Sequence, residues 1–351
     1  MRMQSQNRNF GLDVVRATAI ILVMVSHYIA PLASVGGYGV ELFFVLSGYL
    51  IGGILYRQCS RTASVRFADL WLFWRRRWYR TLPLYYLFLI VAFVWVWTSV
   101  GKVDGLGWKI LTYSFFLQNF AWPIDNFSVI TWSLAIEEWF YLLFPICIYT
   151  IYRAGLRITT SFIVGISIFL VIPLVLRLLN PTPDWNYGTR MVVVFRLDAL
   201  MYGLGLAVWK PQSEWLWKHS RDSALLGMGI IVITVPMVIW GLQPNSWKFM
   251  PALLFSLIPF GFGLLLPFHE LLRRPIDLIA IPIQRLSEWS YSLYLCHMPV
   301  LFGCYAFFHN GSLGSGGKII VRAIALLLTF VIARMLFRYF ELPIMRVRPV
   351  A

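Results

Sequence analysis

Three titratable side chains, Asp13, Arg16 and His27, stand inside the first apolar run of the chain. At about 100° per residue, the eleven steps from Arg16 to His27 return to the same side of a helix with an offset of about 20°. Asp13 precedes Arg16 by three positions, so all three share one face. A rise of about 1.5 Å per residue separates Arg16 from His27 by about 16 Å, comparable to the reach of a pantetheine arm. Imidazole titrates near neutrality, which is what a general base requires. Taken singly these residues also have plain structural readings, with His27 bonding across a helix interface and Arg16 snorkelling to headgroups. Ionisable groups in an apolar helix are costly, and three on one face favour chemistry.

Further groups recur along the chain. Arg75, Arg76, Arg77 and Arg80 fall within six residues, more cations than topology needs, and guanidinium forks suit phosphates. Anchoring at an anionic surface would use the same residues. Glu137 and Glu138 are adjacent inside another apolar run and point about 100° apart, so one at least must face a polar cavity or a neighbouring helix. Either carboxylate beside His27 would orient the ring and raise its basicity. A structural pair with an arginine such as Arg196 is the alternative. Gly39 to Tyr49, which includes Ser47, carries small residues that permit close helix approach. Tyr294 and His297 are three apart, hence neighbours on one face, where a hydrogen-bonded core histidine is the plain reading.

The elements that must hold these groups are membrane helices. The 351 residues are 59% hydrophobic and only 13% charged, about half the charged share of a soluble domain, so the surface cannot face water alone. Ten stretches are long and apolar enough to span a bilayer: 12–35, 38–56, 81–100, 129–151, 160–179, 190–209, 223–241, 249–268, 289–309 and 319–340. Turn chemistry at Gly36-Gly37, Pro181-Thr182-Pro183 and Gly311 to Gly317 separates several of them. The fold expected is an all-α polytopic bundle of about ten transmembrane helices. The first run is too long for a signal peptide and carries Arg16 and His27, so it is read as a span.

The net charge of +15 follows topology and gives no reason to expect nucleic acid as a partner. Twenty of the thirty Lys and Arg fall in the N-terminus, 57–80, 152–158, 210–222, 269–287 and the tail. The alternate loops hold only Lys102, Lys109, Arg190, Lys248 and Lys318, while Arg16, Arg177, Arg196, Arg322 and Arg334 lie in or at the ends of spans. Both termini are therefore expected in the cytoplasm, with loops 101–128 and 180–189 outside. The four cysteines show no CxxC spacing, and neither disulfide nor metal is expected.

Together these motifs resemble the acyltransferase-3 family of integral-membrane acyltransferases. The resemblance rests on Arg16 with ten residues before His27, Gly39 to Tyr49, the Arg76-Arg77-Trp78-Tyr79-Arg80 run with Pro83, Ser133 to Tyr141, Ser290 to His297, and Phe340-Glu341-Leu342-Pro343. They occur in family order over nearly the whole chain. Glu41 stands where Asp is common, Trp139 where Gln is common and Leu342 where Arg is common. The resemblance implies ten core helices, acyl-coenzyme A as donor with acetyl as the default group, and O-acylation of an envelope polysaccharide such as lipopolysaccharide, of a lipid-linked sugar or of a related glycan. It makes His27 the catalytic base and puts Arg16, Arg77 and Arg80 near the donor, with Arg76 joining them from the arginine run.

Glu137 or Glu138 is expected to orient His27, with Asp13, Ser47, Tyr141, Tyr294 and His297 supporting the pocket. One membrane-embedded domain over 1–351, without an appended soluble domain, is expected in the bacterial inner membrane among membrane lipids. The rival from another class is a transporter or flippase, which also uses intramembrane His, Arg and Glu as relays.

Overall fold

The computed structural model describes residues 8–61, 64–100, 105–181, 184–241, 249–308 and 314–349. Arg2, Lys102, Asp104, Lys248, part of the Pro181 turn and part of the Gly311 to Gly317 stretch lie outside them.

The chain is an all-α polytopic membrane protein, and no strand occurs among the described residues. Helix α1 (Phe10–Tyr28) begins at Asn9, whose side chain accepts from the Leu12 N–H and so satisfies one of the orphan donors of the first turn. Helix α2 (Gly36–Ser47) runs through a wide turn at Gly48–Gly52 into α3 (Gly53–Arg61). Then follow α4 (Phe67–Val100), the short α5 (Leu106–Ser114), α6 (Trp132–Arg153) and α7 (Ile158–Leu179). Helix α8 (Met201–Trp209) and the single turn α9 (Trp215–Lys218) lead to α10 (Ser220–Gly241), α11 (Met250–Glu270), α12 (Asp277–Phe308) and α13 (Ser315–Leu336). A second wide turn at Phe337–Glu341 carries α13 into α14 (Leu342–Arg346). Among the described residues, nine helical stretches are long and apolar enough to cross a bilayer.

Two expectations are corrected. The arginine run is no loop: Arg75 to Arg80 are helical and belong to α4, because only Gly and Pro interrupt helices strongly and Pro83 is accommodated inside this one. The stretch 190–209 is not a continuous span. It starts as turns, and only its last nine residues form α8.

This broken stretch nevertheless traverses the bundle. At one end, the Val193 and Val194 N–H groups donate to the carbonyls of Asn119 and Phe120, beside the start of α6. At the other, Lys210 Nζ reaches Glu270 at 2.7 Å, and the Glu270 carbonyl accepts from Asn9 at the start of α1. Non-helical backbone survives at membrane depth only when its polar groups are met inside the protein. Here Asn119 Nδ2 donates to the carbonyls of Trp132 (3.0 Å) and Met191 (2.5 Å). Asn119→Ala strands two buried carbonyls, and a loss of about 1–3 kcal/mol is expected. It reads out as a lower unfolding midpoint in detergent; an unchanged midpoint excludes this role.

Helix α8 lies directly against the wide turn after α2. A Cβ on Gly203 would sit 1.8 Å from the Val45 carbonyl oxygen, and one on Gly48 would sit 1.9 Å from that of Leu200. Only glycine allows this contact, the small-residue mode of helix packing in membranes. The segment between α5 and α6 is fastened separately, with Asp125 accepting from Lys109 and from Tyr113, each at 2.5 Å. Burial alone would raise the Asp125 carboxyl, yet those two bonds and the Phe127 N–H hold it below its ordinary value. The resulting stability is complete above the ordinary carboxyl value of 3.8 and is lost as pH falls below it.

Candidate active site

The arginines of α4 acquire a common direction from helix geometry. Arg76, Arg77 and Arg80 stand at i, i+1 and i+4, and all three line a cavity of about 470 Å³ between α1, α2, α4, α6 and α12. Arg16 and Arg348 also line it, so five guanidinium groups face a single carboxylate, Glu137. Arg77 is the compensated member. It donates to Glu137 at 3.1 Å and to the Tyr141 hydroxyl at 3.0 Å, and lies 4.3 Å from the Tyr141 ring centroid. Glu137 accepts further from Ser47 at 2.9 Å and from Tyr141.

Arg76 Nε donates to the Pro349 carbonyl. Arg16 and Arg80 have neither a hydrogen bond nor an ion pair among the described residues. Glu341 lies close enough to attract both, and Asp13 to attract Arg16, but neither carboxylate reaches ion-pair distance of them. The guanidinium groups on the cavity outnumber the carboxylates, which suits an anionic guest, and paired guanidinium forks match phosphate oxygens.

The lining reaches Tyr294 and Ser133 at the deep end. Their hydroxyls lie 2.7 Å apart, and Tyr294 also donates to the Ile130 carbonyl at 2.9 Å. Beyond them stand the two histidines. The Tyr294 ring is 5.8 Å from that of His297, which is 4.9 Å from that of His27. His27 is exposed on the far side, at the last turn of α1, and His297 is fully buried. His27 Nδ1 lies 2.9 Å from the Val23 carbonyl, which can only accept, so the neutral ring carries its proton on Nδ1. Its Nε2 then keeps the lone pair, as a general base requires.

The site differs from the sequence expectation at four places. His27 does not line the arginine cavity, because Tyr294 and His297, one helical turn apart on α12, fill the interval. Neither Glu137 nor Glu138 bonds His27 among the described residues: Glu137 is held by Arg77, and Glu138, about 100° away, faces a separate apolar hollow of about 370 Å³ with Trp78, Tyr86 and Phe116. Arg196 pairs instead with Glu41. Asp13 is likewise off the cavity, bonded to Arg8 at 2.6 and 2.7 Å and to Ser287 at 2.7 Å.

Some residues of the site escaped sequence reasoning. Arg348 lies in the tail, where its charge reads only as topology. Glu341 is visible in the sequence only as part of a family motif, with no role read for it; turned inward by the second wide turn, it accepts from Ser292 at 2.8 Å. Wide turns of this kind recur at functional sites, but no residue pattern announces them. Arg190, on the broken stretch, places its guanidinium 5.0 Å from the Trp132 centroid and bonds Asn186 at 3.0 Å.

Comparison with known proteins completes the description. A family model described as an acyltransferase domain matches residues 9–338. O-acetyltransferase OatA of Staphylococcus aureus strain NCTC 8325 is 31% identical over 95% of this chain and 57% of its own length. Peptidoglycan O-acetyltransferase OatA of Listeria monocytogenes is 25% identical over 95% of this chain and 55% of its own length. The chain thus spans a little over half the length of these relatives. No solved structure matches it.

Proposed function

Because the chain belongs to the acyltransferase-3 family, we propose that it is a bacterial inner-membrane O-acetyltransferase that moves acetyl from acetyl-coenzyme A to a hydroxyl of a cell-envelope glycan. The observation that carries this reading is the pair of unpaired guanidinium groups, Arg16 and Arg80, on a cavity leading to Tyr294, with His27 two ring contacts beyond.

In this reading Arg16, Arg76 and Arg80 hold the donor's phosphates, while Arg77, already neutralised by Glu137, fixes the cavity wall. The thioester lies toward Tyr294. Bringing its carbonyl to His27 requires the Tyr294 side chain to turn away from Ser133. His27 Nε2 then takes the proton of a hydroxyl arriving from the exposed side, the oxygen attacks the carbonyl carbon, the C–O bond forms and the C–S bond breaks. Placement of donor and acceptor in one polar passage contributes through proximity. The name of the Listeria relative makes peptidoglycan the first acceptor to examine.

Purified protein given labelled acetyl-coenzyme A and envelope glycan, with no membrane gradient, is expected to form O-acetyl glycan. Arg16→Ala and Arg80→Ala are each expected to weaken coenzyme A binding by about tenfold or more, the value of one charge-assisted contact. Unchanged affinity in both variants assigns these arginines to topology and removes the donor site. The broken crossing at 186–209 is also a device of secondary transporters. Labelled glycan moved without a transferred acetyl group would establish that reading instead.

A further inference from the structure

His297 has no task in the transfer just described, yet its surroundings are unusual. It is fully buried on α12, and its Nδ1 lies 2.6 Å from the Tyr294 carbonyl and 3.2 Å from that of Leu293. Both partners only accept, so Nδ1 carries the proton and Nε2 the lone pair. That Nε2 is buried without a hydrogen-bond partner among the described residues. A buried acceptor left unmet destabilises the fold, so a core histidine kept only for packing would be poorly placed. The backbone around it is fixed too, since the Tyr28 hydroxyl donates to the His297 carbonyl at 3.2 Å and bonds Thr329 at 2.8 Å.

We propose that His297 is the second proton site of the reaction, passing the proton taken by His27 to the departing thiolate. This rests on the acyl-transfer reading above. The physical need arises from the placement of the two substrates. The hydroxyl reaches His27 from its exposed side, whereas the sulfur departs on the cavity side, where Tyr294 stands. The His297 ring lies between, 4.9 Å from one ring and 5.8 Å from the other.

The steps balance. His27 Nε2 gains the hydroxyl proton as the ester C–O bond forms and the C–S bond breaks. That proton moves to His297 Nε2 as the His27 ring turns about its Cβ–Cγ bond, and then to the thiolate sulfur by the same motion of the His297 ring, giving free thiol and two neutral imidazoles. Each Nδ1–H leaves its carbonyl during the turn and returns to it afterwards, so each ring acts through Nε2 alone. Facing His297 are the His27 ring and the Tyr28 hydroxyl from α1 and the Tyr294 ring on its own helix; Thr329 from α13, uncharged, bonds Tyr28 and accepts from Cys296, and Arg190 supplies positive charge near His27 and Tyr294.

The test compares His297→Asn and His297→Gln with His27→Ala. Asparagine keeps an amide where Nδ1 donates but removes the Nε2 acceptor; glutamine keeps a polar atom near Nε2 that cannot titrate. Membrane vesicles carrying the full chain and their own envelope glycan receive labelled acetyl-coenzyme A. Coenzyme A affinity and thermal unfolding are measured on purified protein.

Both His297 variants are expected to lose about 10²-fold in turnover with unchanged donor affinity. The solvent-isotope proton inventory, curved in the unaltered protein, becomes linear, and one limb of the pH–rate profile disappears. A normal rate in both variants overturns the relay, as does a slowed rate with inventory and pH profile intact, which marks a packing role. A variant that fails to fold is replaced in the comparison by the other substitution, and misfolding of both assigns His297 to the core and overturns the relay. If His27→Ala is also fully active, the base assignment falls with it. Absence of transfer by the unaltered chain counts against the function itself.

Discussion

His27→Ala is expected to abolish acyl transfer, with turnover falling about 10²–10⁴-fold toward background, the contribution of a positioned general base. The ring is exposed on one side, and among the described residues its only hydrogen-bond partners are the Val23 carbonyl and the Ser26 hydroxyl in its own helix. Its removal therefore unpins nothing between helices. Insertion, unfolding midpoint and coenzyme A affinity should all match the unaltered protein, and this separates lost chemistry from lost fold. His27→Gln keeps a hydrogen-bonding group of similar reach but cannot accept a proton at neutral pH, and should be equally inactive. Turnover within about threefold of normal in either variant would end the assignment, because no other free imidazole lies at the exposed end of α1 among the described residues.

The largest effect on stability is expected at Arg196. Its guanidinium is fully buried, donates to both Glu41 oxygens at 2.8 and 2.7 Å, and lies 3.9 Å from Asp198. Asp198 is in turn paired with Arg177 at 2.7 and 2.9 Å, and Arg177 also donates to the Phe195 carbonyl. This network ties the non-helical stretch to α2 and α7 at a depth where water cannot replace it. Arg196→Met leaves the Glu41 carboxylate buried and alone, which costs about 3–5 kcal/mol. The paired change Glu41→Leu with Arg196→Met removes both charges and should recover most of that loss, since Asp198 keeps Arg177. Thermal unfolding of the three variants in detergent gives the coupling. A double variant no more stable than Arg196→Met alone would show that the network acts through geometry rather than through charge compensation.

The sixth crossing shows where reading a chain for hydropathy stops. Residues 190–209 are apolar enough for a helix, and the period of their side chains does not distinguish a helix from turns buried in protein. The distinction is made by partners remote in sequence. Asn119 and Arg177 take up the backbone carbonyls, Glu41 neutralises Arg196, and Gly48 and Gly203 let the backbones touch. The same limit applies to α4. Arg76, Arg77 and Arg80 are visible as a cluster, but a loop would have scattered them; the helix that begins at Phe67 turns three of them into one cavity.

What the amino-acid order determined by itself is the membrane class, the approximate places of nine spans, the family and the identity of the groups able to do chemistry. These follow from composition, from hydropathy over about twenty residues and from charge at depth, all of which are local or additive. The pairing of those groups was decided only by tertiary structure. Glu137 and Glu138 differ by one position and face different hollows, Asp13 and Arg16 differ by three and serve an anchor and a cavity, and His27 meets His297 across 270 residues of chain. Which helix lies opposite a given face depends on packing summed over the whole bundle, and no spacing within one segment carries that information.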